Sequence, residues 1–398
     1  MSEAKVLVAG AGPVGLVSAM VLAEAGIEVE VFERNASVME DLRASTFHPP
    51  TLDMLDRYGI SEALVEAGLK ARHTQQRDRR KGLIAEFDLA RLAGATKYPF
   101  RLQCEQWKLN EELVGKLAAY PNVKVRFGCA VESVRQDGSG VSVQLRTADG
   151  AAAARGDYLI GADGAWSAVR RSVGIEFEGY TYPERFLVVS TAFPFEEHFE
   201  NLAWVNYVSD PDEWCVMLKV PSLWRVLFPT PEHESDEQVL SDAAVEQRLQ
   251  GLLPQSGPYE IVHRTLYKVH QRVATRFRLG RVLLAGDAAH INNPLGGMGM
   301  NGGVHDAFNL AGKLAEVLAG RASAELLDQY ERQRRTIAIE YINANTARNK
   351  TLIEERDEAA RTRIHDALRA TAADPDAALA YIRKTSMFDA LERAGAIA

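Results

Sequence analysis

Cysteine is scarce in this chain: Cys104, Cys129 and Cys215 are 3 among 398 residues, and no CxxC pair occurs. A dispersed, odd-numbered set excludes a disulfide framework and argues against a zinc site; it reads as reduced thiols in a cytosolic protein. An excess of positive charge is also missing. Lys and Arg number 46 against 54 Asp and Glu, a net charge of −8. Nucleic acid and anionic membranes select basic surfaces, so neither is an expected partner. The one basic run, Arg72 to Lys81, contains Asp78 and reads as a solvated hairpin. No stretch reaches the ~20 apolar residues that a membrane span needs. Val6 to Ala25 comes nearest, but Gly10, Gly12, Pro13 and Gly15 interrupt it and Glu3 offsets Lys5, so it does not read as a secretory leader. A cytoplasmic location is the expectation. There are no internal repeats. With 46% hydrophobic and 25% charged residues, the chain has the make-up of a globular protein rather than a disordered or fibrous one. Its length suggests two or three domains at about 150 residues each.

The hydrophobic pattern opens as strand, glycine turn, helix, strand. Lys5 to Ala9 is a short apolar run suited to a buried parallel strand. A helix is predicted from Leu16 to Ala25, stopped by Gly26, and a second strand from Ile27 to Phe32. Pro49-Pro50 reads as a break before an amphipathic helix over Thr51 to Tyr58. Residues 74–88 alternate about a polar turn as a hairpin, and Leu109 to Ala119 is helical. Asp137-Gly138 and Asp149-Gly150 mark the turns of a meander that ends at the buried strand Tyr158 to Gly161. Residues 185–275 are strand-rich and hold Trp204, Trp214 and Trp224. Arg281 to Ala285 returns to buried-strand character, and the chain is mostly helical after Gly302. The expected class is α/β: a Rossmann-like dinucleotide domain over 1–180, an interrupting β-sheet substrate domain over 181–275, and over 276–398 a return to the first domain with a helical C-terminal region.

Three segments carry chemistry. The first is Gly10-x-Gly12-Pro13-x-Gly15, between strand and helix. Glycine there allows the tight turn, the close approach of pyrophosphate and the packing of helix on strand, while free N–H groups at the helix start face the phosphates. Glu33 ends the second strand 18 residues beyond Gly15, placed to accept ribose hydroxyls and to repel a 2′-phosphate. The second is Asp157 to Arg170, in which a strand feeds the Asp163-Gly164 turn and Ser167 caps a helix. The third is Gly286-Asp287 through Pro294 to Gly303. Here Asp287 at a strand end suits a sugar hydroxyl, and a glycine-rich turn opens a long helix. Three such turns spread along the chain suit one extended dinucleotide. The first motif alone does not separate NAD from FAD.

On these residues the chain resembles the single-component flavin-dependent aromatic hydroxylases of the p-hydroxybenzoate hydroxylase type. The match covers 4–40, 155–180 and 280–340 in order and spacing, and the middle sheet in outline. The resemblance implies FAD, with NADH or NADPH as reductant and O2 as co-substrate. It implies hydroxylation of an aromatic or heteroaromatic ring activated by a hydroxyl or amino group, through a flavin C4a-hydroperoxide. It assigns Gly10, Gly12, Pro13, Gly15, Glu33 and Arg34 to the ADP half of FAD, Asp163 in the second motif to both FAD and NAD(P)H binding, and Asp287 to the ribitol. Gly299, Met300 and Asn301 go to the flavin pyrimidine, and Arg43 and Gln103 to further FAD contacts. Met298 departs from the Gln or Lys usual in that family. The thioredoxin-like domain of larger phenol hydroxylases is absent from this sequence.

The substrate side is less determined. Pro294 is expected at the flavin edge. His48 either approaches the ring or is a loop residue bonded to backbone. Cys215, Met217 and Lys219 share one face of a strand. If that face covers the flavin, Met217 and Lys219 meet the substrate; otherwise Lys219 is a solvated edge residue. Tyr207 and Arg225 are further candidates. His270 and Arg272 match positions that contact the nicotinamide donor, or else form a surface basic patch. No metal is required, and no HExxH, GxSxG or Ser/His/Asp set competes. A homodimer is compatible. The alternatives are another flavoenzyme of this fold, a non-catalytic FAD-binding module, and a plain NAD dehydrogenase, which needs only the first motif. A halogenase of this lineage would carry a WxWxIP segment, and none is present.

Overall fold

The computed structural model describes residues 4–40 and 44–398. Arg43 lies outside the described residues. Two large sheets organise the rest. The first has six strands in the order Arg278–Leu279, Val282–Leu284, Tyr158–Gly161, Lys5–Ala9, Glu28–Phe32, Val123–Arg126. The last five pair in parallel. Parallel neighbours need crossovers, and the helix Pro13–Glu24 supplies the first. Buried on both faces, Val6, Leu7, Val8 and Ala9 are fully inaccessible. Glu30 is the polar exception in this layer; Lys5 at 3.0 Å and Arg126 neutralise it. The meander is as expected, with strands at Ala130–Asp137, Gly140–Thr147 and Gly150–Gly156.

The helix starts earlier than the pattern suggested. The first helix begins at Pro13, and the helix Pro49–Asp56 begins at the proline pair read as a break. Proline in a first turn loses no helical hydrogen bond and has its φ already set, so Pro49-Pro50 initiates the helix instead of interrupting it.

The second sheet has eight strands: His290–Ile291, Ile261–Ala274, Phe177–Thr191, Trp224–Thr230, Cys215–Lys219, Val205–Ser209, His73–Asp78 and Gly82–Asp88. The segment 181–275 does not build it alone. The hairpin of residues 73–88 joins its edge, through a parallel pairing of His73–Asp78 with Val205–Ser209. Strand alternation gives this sheet two unlike faces. One carries Leu187, Val189, Cys215, Met217, Val226 and Phe228 and packs on the helix Asp242–Leu252. The other carries Phe186, Val188, Tyr207, Val216 and Leu227 and packs on Leu295. The C-terminal helices Glu358–Ala373 and Pro375–Thr385 cover the outer hairpin, where Tyr381 stacks on Phe87 at 4.1 Å. Among the described residues no helix is long and apolar enough to cross a membrane.

Candidate active site

The three motifs meet where their glycines lie. Gly10 has φ +98°, and a Cβ there would lie 2.4 Å from the carbonyl oxygen of Ala162 and 3.1 Å from Cα of Asp163. The first turn is therefore pressed against the second. Val14, on the first helix, fills the gap between the others: a Cβ on Gly286 would meet it at 2.7 Å and one on Gly303 at 2.6 Å. Close backbone approach explains glycine at each of these positions. Gly12 differs, because a Cβ there would meet no protein atom within 4 Å. It borders open space at the first turn of a helix with no side-chain cap. This is a cradle that a methyl group would fill, beside N–H groups suited to a pyrophosphate.

Glu33 sits at the mouth of a pocket lined by Ala11, Gly12, Asn35, Trp107, Asn110 and Phe127, with about 110 Å³ of free space. Its Oε2 accepts from the Ala11 N–H at 2.9 Å, and its Oε1 from the Asn35 backbone and side chain at 2.9 and 2.7 Å. These bonds aim the carboxylate and leave a lone pair on Oε2 for a ribose hydroxyl. Arg34 beside it is exposed. Asp163 caps the helix Ala168–Ser172 through Oδ2, accepting from Ala168 and Val169 at 2.7 and 3.1 Å. Its Oδ1 is buried without a partner. Ser167 caps the same helix, as its position suggested. Arg170 then reaches across to the Ala288 carbonyl at 2.8 Å, joining the second motif to the third.

In the third motif Asp287 is exposed on the turn Gly286–Ala288. A buried network that no sequence motif announces stands behind it. Asp306 accepts from the Gly286 N–H at 3.0 Å, from His290 Nε2 at 2.7 Å and from Arg334 Nε at 2.5 Å, and all three side chains are inaccessible. Burial opposes ionisation of Asp306, but the charge of Arg334 and the imidazole of His290 outweigh it and hold its pKa at about 2. Arg334 lies 28 residues from Asp306, which no local pattern connects.

The helix Met298–Leu318 starts after Gly297, at φ +66°, with no side-chain cap, so its first N–H groups are left for a ligand. The Asn301 side chain is taken up by contacts within the protein. Its Nδ2 donates to the Thr46 and Gly297 carbonyls, and its Oδ1 accepts from the His48 N–H at 2.9 Å. Only its backbone suits the flavin contact expected of it. Met298 points into the C-terminal helices beside Ile337, Ile342 and Met387, which explains an apolar residue there. His48 is fully buried and its Nε2 bonds the Gly296 carbonyl at 2.8 Å. Burial, aided by the charge of Arg101, lowers its pKa well below the usual imidazole value. Of the two readings of His48, the Gly296 contact fits the loop residue bonded to backbone, with a neutral imidazole bracing the loop, while its Nδ1 is buried without a partner. Pro294 is half-buried, and its carbonyl accepts from the Gly297 N–H at 3.0 Å. Asn349 holds the next carbonyl, that of Leu295, at 3.2 Å. Gln103 accepts from Thr46 Oγ1 at 3.0 Å, and its Nε2 is buried and unpartnered.

The substrate candidates divide by sheet face. Tyr207 and Arg225 lie on the face that meets Leu295; the register pairs Tyr207 with Val216 and Arg225 with Leu218. Arg225 donates to Ser45 Oγ at 3.1 Å. Met217 and Lys219 are a correction. Their face packs against the helix Asp242–Leu252, where Met217 is fully buried and Lys219 pairs with Glu196 at 2.9 Å over the Trp224 ring. One residue of strand phase separates the two outcomes. His270 bonds Thr181 at 2.8 Å, and Arg272 donates to the Phe177 carbonyl at 3.1 Å. Among the described residues no group of three or more His, Cys, Asp and Glu side chains is placed to hold a metal ion. The residues present fit FAD: an open glycine cradle, a carboxylate aimed by two backbone N–H groups, an uncapped helix start, and unpartnered polar atoms on Gln103 and Asp163.

Comparison with known proteins agrees. The family described as FAD binding domain matches residues 3–345. Para-nitrophenol 4-monooxygenase from Pseudomonas sp. (strain WBC-3) is 37% identical over 367 residues, 90% of this chain and 89% of that protein. A 6-hydroxy-3-succinoylpyridine 3-monooxygenase from Pseudomonas putida (strain DSM 28022 / S16) is 36% identical over 346 residues, 87% of this chain and 88% of that one. The crystal structure of p-nitrophenol 4-monooxygenase from Pseudomonas putida DLL-E4 superposes with a TM-score of 0.91 at 34% identity, covering 96% of this chain and 99% of the other. Convergent glycine turns, a carboxylate beside the first and the third of them and homology along nearly the whole chain lead to one result: the chain belongs to this FAD-binding family and is an FAD-dependent aromatic monooxygenase.

Proposed function

We propose that the enzyme hydroxylates a small phenol or hydroxypyridine-type ring, with NADH or NADPH as reductant and O2 as oxidant. The observation that carries this reading is the sheet face opposite the Pro294–Gly297 loop. Val188, Val216 and Leu227 form an apolar wall interrupted by Tyr207 and Arg225. A planar ring buries well against such a wall, and a few polar groups fix its orientation. The two relatives reported above are named for a nitrophenol and a hydroxypyridine, which supports the same substrate class here.

The flavin, when bound, supplies the acceptance of hydride and the activation of O2. The chain's own residues bind, orient and exclude water. Gly12 and the N–H groups at the start of Pro13–Glu24 hold the pyrophosphate, Glu33 the ribose and Asp287 the ribitol. Gly299 and Met300 offer uncapped N–H groups of the long helix, with the backbone of Asn301 next in the same turn, and the helix dipole favours negative charge at that end. Pro294 borders the ring site on a loop fixed by His48 and Asn349. His270 and Arg272 receive the nicotinamide donor. A panel of ring compounds tests the proposal through two readouts: faster NAD(P)H oxidation and a product heavier by one oxygen. A non-catalytic FAD-binding module would give neither with any ring.

A further inference from the structure

We propose that Arg101, together with Tyr207, is the anion-accepting end of the substrate site, so that the preferred ring carries an anionic oxygen group, a phenolate or a carboxylate. This rests on the hydroxylase reading above and narrows its substrate class.

Arg101 is 3% exposed. Its Nη1 donates to Tyr207 Oη at 3.2 Å and its Nη2 to the Thr385 carbonyl at 3.1 Å, while Nε is buried with no partner. No carboxylate among the described residues pairs with it. Arginine does not shed its proton, so this is a buried charge without a counter-ion, a costly arrangement. Two other buried guanidiniums are compensated by carboxylates, Arg334 by Asp306 and Arg248 by Glu213 and Glu234, whereas Arg170 has both Nη1 and Nη2 on backbone carbonyls and Arg77 bonds Gln75 and the Glu200 carbonyl.

The position is that of the ring site. Arg101 lies in the strand Arg101–Gln103, whose partner strand Thr46–Phe47 runs directly into His48 and the Gly296 carbonyl. Tyr207 reaches it from the sheet face that packs on Leu295. The ionisable groups around it are His48 from the loop side, Tyr207 from the sheet, and Tyr381 from a C-terminal helix, with Arg348 near Tyr381. None is a carboxylate. Arg225 approaches the same region through Ser45, whose neighbour Thr46 holds Gln103. Tyr207 accepts from Arg101, which leaves its own O–H to donate. Together the Arg101 N–H and Tyr207 O–H present two donors and a positive charge to an anionic oxygen, a charge-assisted arrangement.

The test uses the FAD-loaded enzyme and the change in flavin absorbance on ring binding. Three probes are titrated: 4-nitrophenol, 4-hydroxybenzoate and the neutral 4-methylphenol. Wild type is expected to bind at least one anionic probe more tightly than 4-methylphenol, and which one it favours separates phenolate from carboxylate recognition. Arg101→Gln should weaken that probe about 10- to 100-fold, the range of a lost charged hydrogen bond, and shift 4-methylphenol less than about 3-fold. Arg101→Lys should recover part of the loss. Equal weakening of all three probes, or none, overturns the proposal. If Arg101→Gln does not retain FAD, two measurements still decide. Tyr207→Phe should weaken the favoured anion selectively, and for a phenolate, wild-type binding of 4-nitrophenol should tighten as pH rises through the ionisation of the free phenol. Selectivity unchanged by Tyr207→Phe overturns the proposal. If no ring perturbs the flavin or speeds NAD(P)H oxidation, the hydroxylase reading itself fails, a result distinct from ring binding that ignores Arg101.

Discussion

Gly12→Ala separates the roles of the glycines in the first motif. Gly12 has φ −75° and ψ 179°, a conformation alanine adopts freely, and its added Cβ would meet no protein atom. In flavin-free protein the substitution should be neutral or stabilising, by up to about 1 kcal/mol, because alanine narrows the unfolded ensemble. The methyl group would stand in the cradle assigned to the pyrophosphate. Overpacking a close contact costs about 1–3 kcal/mol, which raises the FAD dissociation constant by roughly 5- to 150-fold. Gly10→Ala is the contrast. Its φ of +98° and its clash with the Ala162 carbonyl at 2.4 Å put the cost into the fold itself, about 2 kcal/mol or more before any ligand is added. The assay is a pair of measurements on deflavinated protein: thermal unfolding, and quenching of FAD fluorescence on titration. Gly12→Ala should melt at or slightly above wild type and bind FAD weakly, whereas Gly10→Ala should melt early. A Gly12→Ala protein that takes up FAD with wild-type affinity would refute the placement of the pyrophosphate.

Three further outcomes are expected. Asp287→Ala should leave the fold intact, since the side chain is exposed, and raise the FAD dissociation constant about tenfold, read by the same titration. Lys219→Met should leave every ring dissociation constant unchanged and cost at most about 1 kcal/mol in a denaturant melt, because its partner Glu196 is a surface group on the far side of the sheet. Asp306→Asn should destabilise the protein by about 3 kcal/mol, as expected for an uncompensated Arg334. The sign of its pH dependence follows from its depressed pKa. The contribution of Asp306 is complete above its ordinary value near 3.8 and is lost as pH falls from there through about 2, so the variant should show a flatter acid limb than wild type in melts across that range.

The nucleotide-binding half was legible because its signals are local. Gly10, Gly12 and Gly15 sit within one turn, Glu33 follows the next strand, and Gly10 and Gly15 are demanded by backbone contacts while Gly12 leaves the cradle open, a pattern that a single sequence can announce. The same locality misplaced the helix starts by a few residues, since Pro13 and Pro49 initiate helices as readily as they break them. The substrate side was not legible for a different reason. Alternation in Cys215–Lys219 shows that Met217 and Lys219 share a face, but both faces of that sheet are buried, one under the helix Asp242–Leu252 and one against the Leu295 loop. Hydrophobicity cannot tell two covered faces apart; only the third dimension does. His48 shows a related limit, because the sequence leaves it between ring contact and a bond to backbone, and only the fold supplies the Gly296 carbonyl as its partner.

Arg101 is the extreme case. In sequence it is one arginine in a short strand with no motif around it. Its meaning comes from what the fold withholds, since Tyr207, Thr385 and His48 converge on it from segments more than fifty residues away and bring no negative charge. A cofactor shared by many enzymes is recognised by backbone shape, and backbone shape is written locally in glycine. A substrate particular to one enzyme is recognised by side chains gathered from distant strands, so the residues that decide its identity are those the sequence leaves unmarked.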